Sequence, residues 1–479
     1  MLPMALLVVG CITVGPDYVA PEPDVPDAWA NAATAGLDSG ESNVHLWWTT
    51  MDDPLLNHLI QRARENNLDL RIAFARILEA RALRGVATGE RYPDVDGTGF
   101  LSRDRASESL FPNTAGLPRT DTTGGLGVDA SWEIDFWGRI RRSIEASDAA
   151  LEASVEDYRD VLVLLFSEVA SVYTDVRIAQ KRIRFAEGNA ESQLGSVELT
   201  RTRYDAGIAP QLDVRQAELN LASTNSVIPA LESSMMLSIH RLSVLLGEPP
   251  ATLYGLLLES EPLPPISEEI ALGIPADVVR QRPDVRSAER DVAAESARVG
   301  IATADLYPRF SLSGTFGFSA SNDLFDSGNR VWGLGPSFRW NLFDGGRVRG
   351  QILAQEARLE QAVARYEQTV LFALEEVENA VVSYVKEIER RQDLQDAVLA
   401  AEQSVELVNV LYRTGVTDFQ NVLDAERTLF LRQDDLAASQ GLVVRNYISV
   451  YRALGGGWDP APIALDEEVA DQENGEPIF

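Results

Sequence analysis

Little in this chain is equipped for covalent chemistry. One cysteine and three histidines (His45, His58 and His240) stand among 479 residues. A single cysteine excludes an intrachain disulfide, and ligands this sparse exclude a clustered zinc site. Five methionines and that cysteine offer no soft-metal path. Basic residues are scarce too: 42 Lys and Arg face 73 Asp and Glu, for a net charge of −31 and a pI near 4.5. Nucleic-acid phosphates need a basic face, so nucleic acid is excluded as a partner. No apolar run approaches the ~20 residues of a membrane helix, and the longest, Val161 to Phe166, reads as helix core. Gly455-Gly456-Gly457 lacks the strand–helix context of a phosphate loop and reads as a helix terminator. No catalytic constellation, cofactor motif or metal site emerges, so an enzyme is not expected.

The chain does hold an internal repeat. Tyr204, Gly207, Val214, Ala217 and Glu218 return as Tyr412, Gly415, Val422, Ala425 and Glu426, a constant offset (412 − 204 = 208). The same offset relates Trp132, Gly138, Arg139 and Arg141 to Trp340, Gly346, Arg347 and Arg349, and Leu246-Gly247 to Leu454-Gly455. Tyr92-Pro93 returns as Tyr307-Pro308 at an offset of 215, so the intervening loop is longer in the first half by 215 − 208 = 7 residues. By this offset His240 matches Ile448, which makes it a core or wall position. Each Tyr-x-x-Gly copy reads as a long helix, a tight turn at Gly207 or Gly415, and a helix running back. Pro210 suits a first-turn proline, and Thr417 with Gln420 suits a capping box.

The repeat divides the chain. Residues 1–10 are an apolar leader, and residues 11–53 form a tether whose Pro16, Pro21, Pro23 and Pro26 favour extended backbone. The first unit covers 54–247, a Pro-rich linker 248–275, the second unit 276–457, and an acidic disordered tail 458–479. The first unit opens with one helix running to about Glu90.

Four short segments alternate with period two. Phe310, Leu312, Phe316 and Phe318 interleave with Ser311, Ser313, Thr315 and Gly317, and 126–136 and 332–342 alternate likewise, through Trp132 and Phe136, and Trp340 and Leu342. The segment 95–103 is weaker. Such strands have one apolar and one polar face. Strands of ~10 residues bearing aromatics suit an outer-membrane barrel, and a half-buried sheet of a soluble protein alternates identically. Four strands cannot close a barrel, and open edges are not tolerated in lipid. Membrane strands would therefore require several copies, a dimer giving eight and a trimer twelve.

Between Gln351 and Thr414 there is neither glycine nor proline, enough for a helix of roughly 95 Å. Leu394, Val398, Ala401, Val405, Val408 and Tyr412 form a heptad seam. Past the turn, two seven-residue stripes run in parallel, one from Val422 to Val450 and one from Leu423 to Tyr451. Two stripes on one helix call for neighbours on both sides, as in a wall of helices.

These motifs together resemble the outer-membrane efflux proteins of the TolC/OprM type, and their lipoprotein branch most of all. The resemblance rests on Cys11 with Gly15-Pro16-Asp17-Tyr18, on Trp47-Trp48 before Asp53-Pro54-Leu55, on Ile274-Pro275 through Arg282-Pro283-Asp284-Val285 to Ala288-Glu289, and on the two Tyr-x-x-Gly hairpins. It covers nearly the whole chain after Cys11. It implies a mixed fold of membrane β-barrel and long α-helical barrel: four strands per protomer, closing in a homotrimer as a 12-stranded barrel over a helical periplasmic tunnel. It implies a passive exit duct docked to a periplasmic adaptor and an inner-membrane RND pump. The apolar leader before Cys11 resembles a lipobox, which implies cleavage and acylation of Cys11 as an anchor in outer-membrane lipid, although no basic residue precedes the run. It further implies a gate past the turns, with Asp213, Asp424, Arg427, Asn421, Gln420 and Tyr412 as its candidates. Asp213 also suits a helix first turn, and Asp424 an i, i+3 pair with Arg427. Two other readings remain at this stage: the duct of a type I secretion system, and a lipid-anchored coiled-coil scaffold without a pore.

Overall fold

The computed structural model describes residues 13–30, 44–105, 107, 120–266, 270, 272–321 and 324–459. Cys11 and most of the acidic tail lie outside the described residues. After a 3-10 turn at Trp47–Met51, the chain runs α1 (Pro54–Asn66), α2 (Leu68–Gly89), β1 (Asp94–Arg105), β2 (Thr120–Ile134), α3 (Arg139–Asp205), α4 (Gln211–Leu245), α5 (Tyr254–Leu257), α6 (Pro275–Gln281), α7 (Pro283–Ala304), β3 (Arg309–Ala320), β4 (Arg330–Arg339), α8 (Arg347–Arg413) and α9 (Phe419–Ala453). The repeat is reproduced end to end in the long helices and in β1 and β3, while β2, with 15 residues, is longer than β4, with 10. The helices α3 and α8 each have 67 residues, and α4 and α9 each have 35, with both ends at the 208 offset. At the 215 offset, α2 matches α7 and β1 matches β3 end to end. Among the described residues, no helix is long and apolar enough to cross a membrane.

Two compact units share these elements: 1–23 with 74–156 and 286–369, and 24–73 with 157–285 and 370–479. The first holds the sheet, antiparallel in the order β1-β2-β3-β4. Its register settles where the alternating residues point. Leu126 lies opposite Phe318, Val128 opposite Phe316, Trp132 opposite Leu312 and Ile134 opposite Phe310, and Phe310 and Phe316 lie opposite Phe338 and Trp332. Directly paired residues share a face, so the apolar series of all four strands make one surface. It is bare: Leu101, Trp332 and Leu334 are 80%, 76% and 74% exposed. The other face carries Asp94, Asp96, Thr98, Asp129 and Glu133, and Thr98 donates to Asp129 at 2.9 Å. The strands end sooner than the alternation does, leaving Phe136, Trp340 and Leu342 beyond them. Trp132 and Trp340 nonetheless act alike, their indoles donating to the Arg91 and Leu306 carbonyls at 2.9 and 3.1 Å.

The N-terminal segment of this unit is docked, not solvated. The Val14 amide donates to the Trp137 carbonyl, and the buried Arg142 guanidinium reaches Asp17 at 2.7 Å. Tyr18 donates to Glu289 at 2.8 Å and packs on Ala149, Ala293 and Ala294. Gly15 sits at φ +89°, where a Cβ would lie 2.4 Å from the Gly300 Cα.

The second unit holds the main core. Trp47 stacks on Tyr451 at 5.6 Å, and Trp48 meets Phe166 edge-on at 4.9 Å. These tryptophans belong to the core, although composition assigns 44–53 to the tether. Trp458 is likewise core, not tail: it is buried, with Arg159 4.6 Å over its ring and His45 bonded to its carbonyl. The expected single helix up to Glu90 is broken at Asn67. That side chain accepts from the Leu70 amide and donates to the Leu245 carbonyl, ending α1 and starting α2. The Pro-rich linker is pinned by the fully buried Arg177, which donates to the Glu259 carbonyl and to Glu261. His240 is half-buried and bonded to the Tyr254 hydroxyl, as a wall position requires. Both stripes of α9 face inward, from Val422 and Leu423 to Val450 and Tyr451.

A Gly15→Val substitution meets a backbone clash as well as an unfavourable φ. It should release residues 13–18 while sparing the helices. Limited proteolysis should then cut the variant within that segment, under conditions that leave the unsubstituted chain intact.

Candidate functional site at the paired helix turns

Both turns close in the same way. Gly207 (φ +73°) and Gly415 (φ +78°) terminate α3 and α8. The next amides, of Ile208 and Val416, reach back to the Arg203 and Leu411 carbonyls at 2.9 Å each. This is the Schellman closure, in which a glycine supplies the left-handed residue. The helix starts differ from expectation. Pro210 is the residue before α4, not its first residue, and Asp418 occupies the corresponding place before α9. Neither makes a side-chain cap. Thr417 does not form a capping box with Gln420, since its hydroxyl accepts from Asn421 at 2.7 Å.

Two polar groupings lie just behind the turns. In the first, Tyr412 of α8 is buried, its hydroxyl donates to Asp213 of α4 at 3.4 Å, and the Arg203 guanidinium of α3 lies 4.6 Å over its ring. Arg203 also donates to the Tyr412 carbonyl at 3.1 Å. Phe419, Val422, Leu423, Val197 and Ala217 pack around the ring. The two hairpins are thus joined through one tyrosine. Burial pushes the Asp213 carboxyl up, against the opposing pull of the Tyr412 hydrogen bond.

In the second grouping, the Glu426 carboxylate of α9 is buried and accepts from Ser196 of α3 and from the Asn220 amide of α4 at 3.1 Å. Arg427 donates to the Asn220 oxygen at 3.2 Å. It therefore does not pair with Asp424, which accepts from Gln420 at 3.0 Å on the exposed side. Burial raises the Glu426 pKa, opposed by its hydrogen bonds from Ser196 and Asn220. Its counterpart Glu218 instead binds Arg201 and Arg215 at the surface. Tyr204, the counterpart of Tyr412, is also exposed. The repeat is therefore broken chemically where it is kept geometrically.

Of the candidate residues, the structure brings Tyr412 together with Asp213, and Gln420 with Asp424, and leaves Asn421 bonded only to Thr417 among those named. Sequence reasoning missed Arg203, Ser196 and Asn220 as partners. The one available signal concerned Arg203, whose counterpart at offset 208 is the uncharged Leu411; Ser196 matches Ser404 and Asn220 matches Thr428, which give none. Among the described residues, no group of His, Cys, Asp or Glu could hold a metal ion.

A carboxyl whose folded pKa is raised adds stability at low pH and loses it as pH rises through that raised value. The packing of α9 on α3 and α4 should therefore weaken from the ordinary glutamate range upward. Glu426→Gln should flatten this slope. Amide hydrogen exchange in α9, compared at about pH 5 and about pH 7, should accelerate less between the two in the variant than in the unsubstituted chain.

Comparison with known proteins agrees with this architecture. The family described as "Outer membrane efflux protein" matches residues 59–248 and 274–456. Nodulation protein T of Rhizobium leguminosarum bv. trifolii is 31% identical, over 95% of this chain and 96% of that protein. The solvent efflux pump outer membrane protein SrpC of Pseudomonas putida is 32% identical, over 95% of this chain and 98% of that protein. Among solved structures, the outer-membrane channel OprN superposes with a TM-score of 0.86 at 39% identity, covering 93% of this chain and all of that one. With both halves of the duplication matched, the chain belongs to the outer membrane efflux protein family, whose members are channels and not enzymes.

Proposed function

We propose that the chain is the outer-membrane duct of a tripartite efflux system, passive and closed by a gate at its helix turns. The reading is carried by one observation: a sheet with a continuous bare apolar face and no strand beyond β1 or β4 among the described residues. Three copies would close twelve strands by pairing each β1 with the next copy's β4, satisfying both edges. The apolar face then meets lipid, and the face bearing Asp94, Asp96, Asp129 and Glu133 lines the pore and favours cations. A scaffold without a pore would cover that apolar face with its own helices, and among the described residues none does so. The solvent-efflux relative favours efflux over type I secretion. Cys11 carries the lipid anchor in the outer membrane, the long helices stand in the periplasm, and an adaptor and an RND pump are the partners.

At the turns, Tyr412 holds the two hairpins together through Asp213 and Arg203. Threefold symmetry would bring Asp213 and Asp424 close to the axis, with Gln420, Asn421 and Arg427 beside them. Removing Asp213 loosens the join between the hairpins, and removing Asp424 relieves repulsion between copies.

Planar-bilayer recording tests both parts. The chain should form cation-selective channels, and Asp213→Ala with Asp424→Ala should raise single-channel conductance severalfold. Unchanged conductance would remove these two residues from the gate, and an absence of channels from trimers that survive heating in detergent would remove the duct reading itself.

A further inference from the structure

The apolar face changes character near the β-hairpin ends of the strands. On β1 the face that carries Leu101 next carries Arg103 and Arg105, opposite Thr122 and Thr120. On β4 the face that carries Trp332 and Leu334 begins with Arg330, opposite Phe318. All three arginines are exposed, and none is ion-paired among the described residues. In a chain of net charge −31, three bare guanidinium groups on an otherwise apolar surface ask for an explanation. The opposite end of the same face is aromatic, with Trp132, Phe310 and Phe338.

The spacing places these cations. From Ile134 to Gly124, the partner of Leu101, is ten residues of strand, or ~34 Å, and at a tilt of ~40° this gives a band ~26 Å tall. Arg103 and Arg105 follow directly beyond that band, and Arg330 lies one row inside it, within reach of the boundary by extending its stem. They stand where a membrane's headgroups begin. A guanidinium in that zone matches phosphate bidentately.

We propose that Arg103, Arg105 and Arg330 form a docking rim for phosphate-bearing lipid headgroups in the leaflet around the hairpin ends. The proposal rests on the lipid-facing reading of the apolar face. Edge-to-edge closure sets the Arg330 edge of one copy against the Arg103 and Arg105 edge of the next, so the cations gather at each seam.

The test reconstitutes the full chain in phosphatidylcholine vesicles containing about a tenth bis-phosphorylated lipid A, and measures by native mass spectrometry the lipid A retained after extraction. Each arginine replaced by glutamine should weaken retention about fivefold, and the Arg103→Gln, Arg105→Gln, Arg330→Gln triple variant about a hundredfold. The triple lysine variant should keep most of it. Quenching of Trp332 by brominated acyl chains, by difference from Trp332→Phe, is read on the same samples. Quenched Trp332 with equal retention in the triple variant overturns the rim and leaves the lipid-facing reading standing. Unquenched Trp332 overturns that reading and the rim with it.

Discussion

A peptide group surrounded by hydrocarbon must find its hydrogen bond inside protein, because no water is there to supply it. On the proposed reading, that constraint governs how the four strands can exist. Their internal ladders are complete, and on the same reading their shared apolar face rests against lipid and not water. Among the described residues β1 and β4 have no further partner strand, so the proposed duct would need other copies to close it, and its stability would then be inseparable from assembly.

The helical portion answers a different demand. Long helices with few breaks carry their own backbone bonds, so only the ends need attention. Those ends are closed alike in both halves, through Gly207 and Gly415 at the turns and through Gly247 and Gly455 at the returns. Side chains then individualise what the backbone repeats. Tyr412 and Glu426 go inward where Tyr204 and Glu218 stay out. Within the unit that holds the turns, one hairpin is thereby tied to the other by polar contacts that have no mirror image.

Much of this was legible in the sequence, for reasons that can be named. Period-two alternation located all four strands, because a face is a purely local property. The missing glycine and proline between Gln351 and Thr414 located α8. Strand ends and helix caps were read less well. Trp340 continues the alternation past the last ladder bond, and only the pairing partner shows where that bond is. Asn67 breaks a helix by bonding the Leu245 carbonyl, a contact far off in the chain. Among the gate candidates, Asp213 and Tyr412 are brought together. The pairing of Arg427 with Asp424 fails because Asn220 of a neighbouring helix offers a better-placed oxygen. The bounds 11–53 and 458–479 leave Trp47, Trp48 and Trp458 outside both repeat units, because proline-rich and acidic surroundings mask a core that these three residues help to build.

The matched helix lengths have a consequence for how such a chain can change. Both hairpins turn back after the same number of residues, and Tyr412 meets Asp213 and Arg203 only while that holds. A lone insertion in α8 would slide one hairpin past its twin by 1.5 Å per residue and rotate its side chains by about 100°. Length is therefore inherited jointly by the two halves: a lineage can lengthen or shorten these helices only by editing both copies, and in steps that restore the heptad seam.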